Sequence, residues 1–176
     1  PEIDEEYQNF WSGLPKILDQ FTEVLWAESP VLDRFKFTLG CDDIARVWGA
    51  DGQGRAWAGA PDIIAVVNNK LTLADLKTSV RPYSRKWPKD YEKGTKEWRN
   101  LLGGYMKFKK TCKQLAAYDI AIEQTLGMKV QQAAVLVSTP ERTQIFKISR
   151  GFLNSLRQDW YKIVEEYYKQ LEECDI

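Results

Sequence analysis

Three charged residues near the middle of the chain have the types and spacing to do chemistry: Asp62, Asp75 and Lys77. Two apolar runs, 62–67 and 70–76, flank Asn68-Asn69. Asparagine tolerates positive φ better than most residues, so the pair suits a two-residue type I′ turn and predicts a β-hairpin. In that register 67 pairs with 70, 66 with 71 and 62 with 75. Asp62 then faces Asp75 across the ribbon, at the roughly 5 Å Cβ separation of directly opposed residues. Side chains alternate along a strand, so Lys77 shares a face with Asp75. Opposed carboxylates repel, and burying them without a counter-charge is costly. Two arrangements relieve that cost. Lys77 alone makes a salt-bridged cluster with no chemistry. A divalent, oxygen-seeking cation such as Mg²⁺ or Mn²⁺ makes a metal centre.

Composition narrows the choices. The 176 residues are enough for one domain with a sizeable core, and 44% hydrophobic with 28% charged residues fits a folded globular chain. No histidine is present, which excludes Ser-His-Asp and Cys-His catalysis and histidine-based zinc sites. Any catalysis must run on carboxylates, lysine, tyrosine, or a metal held by oxygen. Cys41, Cys112 and Cys174 are odd in number and widely spaced, so a reducing compartment is expected rather than a disulfide framework. No apolar run reaches the ~20 residues of a membrane helix, and no signal peptide opens the chain. A cytoplasmic or organellar setting, rather than a secreted one, is expected. The chain begins at Pro1 without a methionine, which predicts further sequence upstream.

Net charge is zero but unevenly placed. Residues 81–113 hold eleven Lys/Arg against three acids, whereas residues 1–33 hold eight acids and one Lys. Tyr83, Trp87, Tyr91 and Trp98 are interleaved with the basic residues. Cations that neutralise phosphates, with aromatic faces for unpaired bases, make a nucleic-acid contact. A solvated loop whose aromatics pack on the core is the plainer alternative.

The elements that must position these residues follow from periodicity. A helix is expected over 4–22, broken near 13–15 by Gly13 and Pro15, and then a strand over 23–28. Segment 30–40 is ambiguous, 43–48 reads as a strand, and 49–54 as a glycine-rich loop. After the hairpin, 80–104 reads as a loop or broken helix because of Pro82, Pro88, Gly94, Gly103 and Gly104. A helix over 105–126 carries the stripe Phe108, Cys112, Leu115, Ile122 and Leu126, and stops at Gly127. On its flank Gln114 and Tyr118 sit four apart, hence on one face. Strands at 131–137 and 143–148 precede a final helix over 149–173, with Leu153, Leu156, Trp160, Ile163, Tyr167 and Leu171 as its apolar face. One domain over 1–176 is the simplest organisation.

Pro61-Asp62, Asp75-Leu76-Lys77 and Gln114-Leu115-Ala116-Ala117-Tyr118, in that order, resemble the motifs of the PD-(D/E)XK nuclease superfamily. Gly59 before them and Thr78-Ser79 after the second motif look like its RecB-type exonuclease branch, which includes phage recombination and mitochondrial genome-maintenance exonucleases. The resemblance implies a restriction-endonuclease-like α/β core with a mixed sheet of four or five strands flanked by helices. It also implies hydrolysis of DNA phosphodiesters in replication, recombination or repair. Asp62, Asp75 and Lys77 would be catalytic. Asp62, Asp75 and the Leu76 carbonyl would hold Mg²⁺ or Mn²⁺. Gln114, Tyr118, Arg81, Arg85, Lys86 and Trp87 would contact DNA. Many relatives add a His or Glu ahead of the first strand. Glu23 and Glu28 are the candidates here, each also readable as a plain surface acid, and the true residue could lie before Pro1. Some relatives carry a four-cysteine iron–sulfur cluster, which three cysteines cannot build. The rival readings are a non-catalytic nucleic-acid-binding module that keeps the fold, and an interaction domain in which the acids form only a salt-bridge network.

Overall fold

The computed structural model describes residues 5–27 and 47–174. The ambiguous segment 30–40, most of the strand expected at 43–48, and Glu28 lie outside the described residues. The described chain forms a mixed α/β fold with a five-stranded sheet ordered β1-β4-β5-β6-β7 and a separate two-stranded ribbon, β2-β3. The large sheet contains β1 (Phe21–Ala27), β4 (Ile63–Val67), β5 (Lys70–Thr78), β6 (Gln132–Ser138) and β7 (Thr143–Ser149). The ribbon is β2 (Val47–Ala50) with β3 (Ala56–Gly59).

The hairpin at the centre of the sheet has the expected register. Val67 pairs with Lys70, Val66 with Leu71, and so on to Ile63 with Ala74. The turn residues Asn68 and Asn69 have φ of 51° and 59°, both left-handed, as a type I′ turn requires. Strands β4 and β5 are interior to the sheet and buried on both faces, which accounts for their near-continuous apolar character.

β5 and β6 are the parallel pair, and parallel neighbours need a crossover connection. Helix α3 (Lys96–Leu126) supplies it. This helix starts well before the expected residue 105. Thr95 caps it, its hydroxyl accepting from Trp98 N at 3.2 Å, and Glu97 in the first turn complements the helix dipole. Gly103 and Gly104, read from sequence as loop residues, lie inside the helix. Gly104 is there for close approach, because a Cβ would sit 2.6 Å from the Pro82 carbonyl oxygen. The C-terminal stop at Gly127, with φ 66°, is as expected.

At the N-terminus the expected break near 13–15 separates two short helices, α1 (Glu5–Trp11) and α2 (Pro15–Leu18). β1 starts at Phe21, earlier than the expected 23, because Phe21 and Val24 turn inward onto the sheet. The face of the sheet under α3 and the last helix, α4 (Arg150–Cys174), holds the larger core, including Ile64, Leu73, Leu115, Val135 and Leu153. The opposite face holds a smaller cluster around Ile17, Phe21, Ala65 and Leu136. The face of α4 is as expected through Leu153, Leu156 and Trp160. Beyond that the buried position is Val164, and Tyr167 and Leu171 are 57% and 43% exposed. No helix among the described residues is long and apolar enough to cross a membrane.

Between α3 and α4 lies a buried ionic network. Asp119 is fully buried and receives Arg150 at 2.8 Å and Arg157 at 2.5 Å, while Arg157 also reaches Glu123 at 2.7 Å. Two arginines on one carboxylate pin the two long helices in register. Removing the acid leaves two cations facing each other. Asp119→Ala is therefore expected to lower unfolding free energy by about 3–5 kcal/mol, whereas Tyr167→Ala should stay within about 0.5 kcal/mol of wild type. Urea-denaturation midpoints at constant slope measure both.

Candidate active site

Asp75 is in β5, in the middle of the sheet, and is fully buried. Lys77, two residues on, reaches it from the same strand face. Its ammonium donates to Oδ1 at 2.9 Å and lies 2.8 Å from Oδ2. Asp62 occupies the bend just before β4, one step past the last ladder pair. It is not a ladder partner of Asp75, as simple extension of the register predicts. Its Oδ2 instead accepts from the Leu76 backbone N–H at 2.7 Å. That bond carries Asp62 to the strand position between Asp75 and Lys77. The bend is held from the other side by β1, where the Trp26 indole donates to the Pro61 carbonyl at 3.0 Å.

Helix α3 supplies the opposite wall. Gln114 Nε2 donates to the Tyr118 hydroxyl at 2.8 Å, so the two residues expected on one helix face are joined. Tyr118 packs against Gly59, at the end of β3, so closely that a Cβ there would collide with the ring. The glycine two residues before Pro61 is thus small because tyrosine needs the space.

Electrostatics tie the four charged or polar groups together. Burial alone would lower the Lys77 pKa, but its hydrogen bond to Asp75 and the charges of Asp75 and Asp62 outweigh that and hold it above the ordinary lysine value. Lys77 is therefore an ammonium at neutral pH. Burial raises the Tyr118 pKa; Asp62 and Asp75 add to this, against the Gln114 hydrogen bond and Lys77, so the phenol keeps its proton.

The donor set suits a hard cation. Asp62 and Asp75 offer carboxylate oxygens and Leu76 a main-chain carbonyl, and Mg²⁺ commonly uses one or two carboxylates while keeping several waters. No group of three or more Asp, Glu, Cys or His side chains is placed to hold a metal among the described residues. The two aspartates would be the protein's charged ligands, and a bound cation would compete with Lys77 for the oxygens of Asp75. Glu23, one of the two extra acids considered, is exposed on β1 opposite Val66, toward the Asn68-Asn69 end of the sheet and away from Asp62. It does not belong to this site.

The basic segment divides into two kinds of residue. Trp87 and Tyr91 are 52% and 49% exposed, with Trp87 set edge-on to Tyr105 at 5.5 Å. Lys86 and Arg81 are exposed too. Tyr83, expected among the exposed aromatics, is buried in the main core instead. Arg85 is exposed as well but also tied to the scaffold: its guanidinium lies 5.6 Å from the centroids of both Phe108 and Phe146 and donates to the Lys147 carbonyl. Alternating charge and ring in a sequence cannot tell a ring that points out from one that anchors the loop. One contact escaped the sequence reading. Ser79 accepts from Lys107 Nζ at 3.0 Å, which joins the strand after Lys77 to α3. The available signal was Gly104 three residues before Lys107, a small residue one turn from a cation.

Gly59→Ala tests the tyrosine wall. The added methyl must displace Tyr118, with an expected loss of about 1–3 kcal/mol in stability. Tyr118→Phe should cost less, since the packing is kept. A double variant, Gly59→Ala with Tyr118→Ala, should recover part of the Gly59→Ala loss, and thermal denaturation reads all three.

No protein-family model and no curated protein matches the chain. A solved structure called "Crystal structure of SSO0001" is similar over 70% of this chain, with a TM-score of 0.32 and 17% identity. The aligned part is 53% of that structure's chain, about half its length. Likeness at that level says nothing of function.

Proposed function

We propose that the chain is a Mg²⁺- or Mn²⁺-dependent deoxyribonuclease, an exonuclease hydrolysing DNA phosphodiester bonds in replication, recombination or repair. The observation that carries this reading is the meeting of Asp62, Asp75 and Lys77 at one end of the hairpin, with the Gln114–Tyr118 pair against the adjacent Gly59. Those residues also carry the motif resemblance, and the exonuclease assignment rests on that resemblance. The salt-bridge reading accounts for Lys77 and Asp75 alone. It gives no reason for a second carboxylate to be held at Leu76.

Asp62 and Asp75 would hold the metal, with the Leu76 carbonyl as a further oxygen donor. A bound Mg²⁺ or Mn²⁺ would lower the pKa of its water and neutralise charge on the phosphate. Lys77, protonated, would stabilise negative charge developing on the phosphate oxygens. Positioning the attacking water, or helping to deprotonate it where a cation at Asp75 has released the lysine, would be its other role. Tyr118, also protonated, would donate a hydrogen bond to a phosphate oxygen, oriented by Gln114. Trp87 and Tyr91 would stack unpaired bases beside the basic residues.

The test is degradation of end-labelled linear single- and double-stranded DNA, against circular DNA, in Mg²⁺ or Mn²⁺. Linear DNA should be degraded, circular DNA spared, and EDTA should stop the reaction. Asp62→Asn keeps the acceptor for the Leu76 N–H while removing the charge, and should lower the rate roughly 10²–10³-fold without unfolding, as should Lys77→Ala. Full activity in either folded variant would sink the proposal. So would salt-sensitive DNA binding with no cleavage in either metal, the behaviour of a binding module.

A further inference from the structure

A cluster of unbalanced positive charge lies in a cavity of about 110 Å³ between the loop after β5 and the first half of α3. Arg81, Arg99 and Lys107 line it, together with Pro82, Asn100 and Gly104. No acidic residue lines it, and none of the three cations forms an ion pair among the described residues. Their partners are neutral. Arg81 donates to Asn100 Oδ1 at 2.5 Å, and Lys107 donates to Ser79 Oγ at 3.0 Å with its ammonium 5.9 Å from the centre of the Tyr83 ring. Like charges gathered in one recess repel unless an anion joins them. The other basic cleft, around Arg150 and Arg157, differs in this respect, because Asp119 and Glu123 already neutralise its arginines.

We propose that this cavity is a phosphate subsite, taking one phosphate group of the DNA strand while another lies at Asp62 and Asp75. The volume admits a few waters or a tetrahedral anion and is too small for a stacked base with its sugar. Arginine forks match phosphate oxygens, and Gly103, where an added Cβ would meet nothing within 4 Å, leaves room for close approach. Lys107 links the two places: its ammonium lines the cavity while bonding Ser79, two residues beyond Lys77. Arg99 and Lys107 are thus assigned to strand binding in addition to Arg81. The choice of DNA rests on the nuclease reading; the binding itself requires no hydrolysis.

The experiment is equilibrium binding of a fluorescent single-stranded oligonucleotide in EDTA, across a salt series. It compares wild type with Arg99→Gln, Lys107→Gln and, as a control of equal charge, Lys129→Gln beyond the far end of α3. Arg99→Gln and Lys107→Gln should each weaken binding about tenfold and flatten the log–log salt slope by about 0.7. Arg99→Lys should restore the slope but not the whole affinity, and Lys129→Gln should change neither. Oligonucleotides with a 5′-phosphate, a 3′-phosphate or neither distinguish the source of the group. A gain from one end phosphate that disappears in Arg99→Gln assigns the cavity to a strand terminus. Equal losses on all three assign it to an internal phosphodiester. Unchanged affinity and slope in folded Arg99→Gln, an equal loss in Lys129→Gln, or no binding by wild type would each overturn the subsite. Loss of binding in Arg99→Gln without any cleavage by wild type keeps the subsite and removes the nuclease. Cleavage abolished by Asp62→Asn with binding intact in Arg99→Gln does the reverse.

Discussion

A carboxylate with no solvent contact in the middle of a β-sheet is the constraint around which this chain is arranged. Asp75 has apolar neighbours along the same strand, so its charge must be met from a few directions. Lys77 meets it from within β5. Asp62 is held one residue away by the Leu76 N–H, adding a second negative charge where one was already costly. A fold that sought only stability would put an apolar side chain at 75. Two acids, an ammonium and a protonated tyrosine held together are the arrangement on which the proposed metal-binding role rests.

Helix α3 turns that local arrangement into a site. Its first half borders the recess holding Arg99 and Lys107, its middle carries Gln114 and Tyr118, and the next residue, Asp119, fastens it to α4 through two arginines. The same element is the crossover that makes β6 parallel to β5. Position along one rigid rod therefore sets the spacing between the cationic recess and the aspartates, and the ionic clamp to α4 stops the rod from sliding.

Much of this was legible before any coordinates. The Asn-Asn turn, its register, the apolar stripe of α3 and the last two strands all follow from short-range rules, and the structure agrees with each. The misses share a physical origin. The start of α3 was hidden because Gly103 and Gly104 read as breakers, whereas Gly104 serves a contact with Pro82 that lies far away in sequence. Tyr83 reads as a ligand-facing residue, yet it joins the core. Asp62 was placed on the ladder, but a residue in a bend is free to reach a backbone N–H instead. Long-range packing decides such cases, and one sequence does not display it.

The small β2–β3 ribbon shows how the chain finishes an exposed strand. Trp48 and Ala50 present their backbone N–H and C=O groups outward, and the side chains of Thr125 and Gln124 bond both groups of each residue, at 2.7–2.9 Å. Two side chains at the end of α3 thereby imitate a neighbouring strand. An open β-edge invites pairing with another molecule; here the helix already occupies the bonding row, so the ribbon is closed to strand addition on that side and its short hairpin cannot seed a continuous intermolecular sheet.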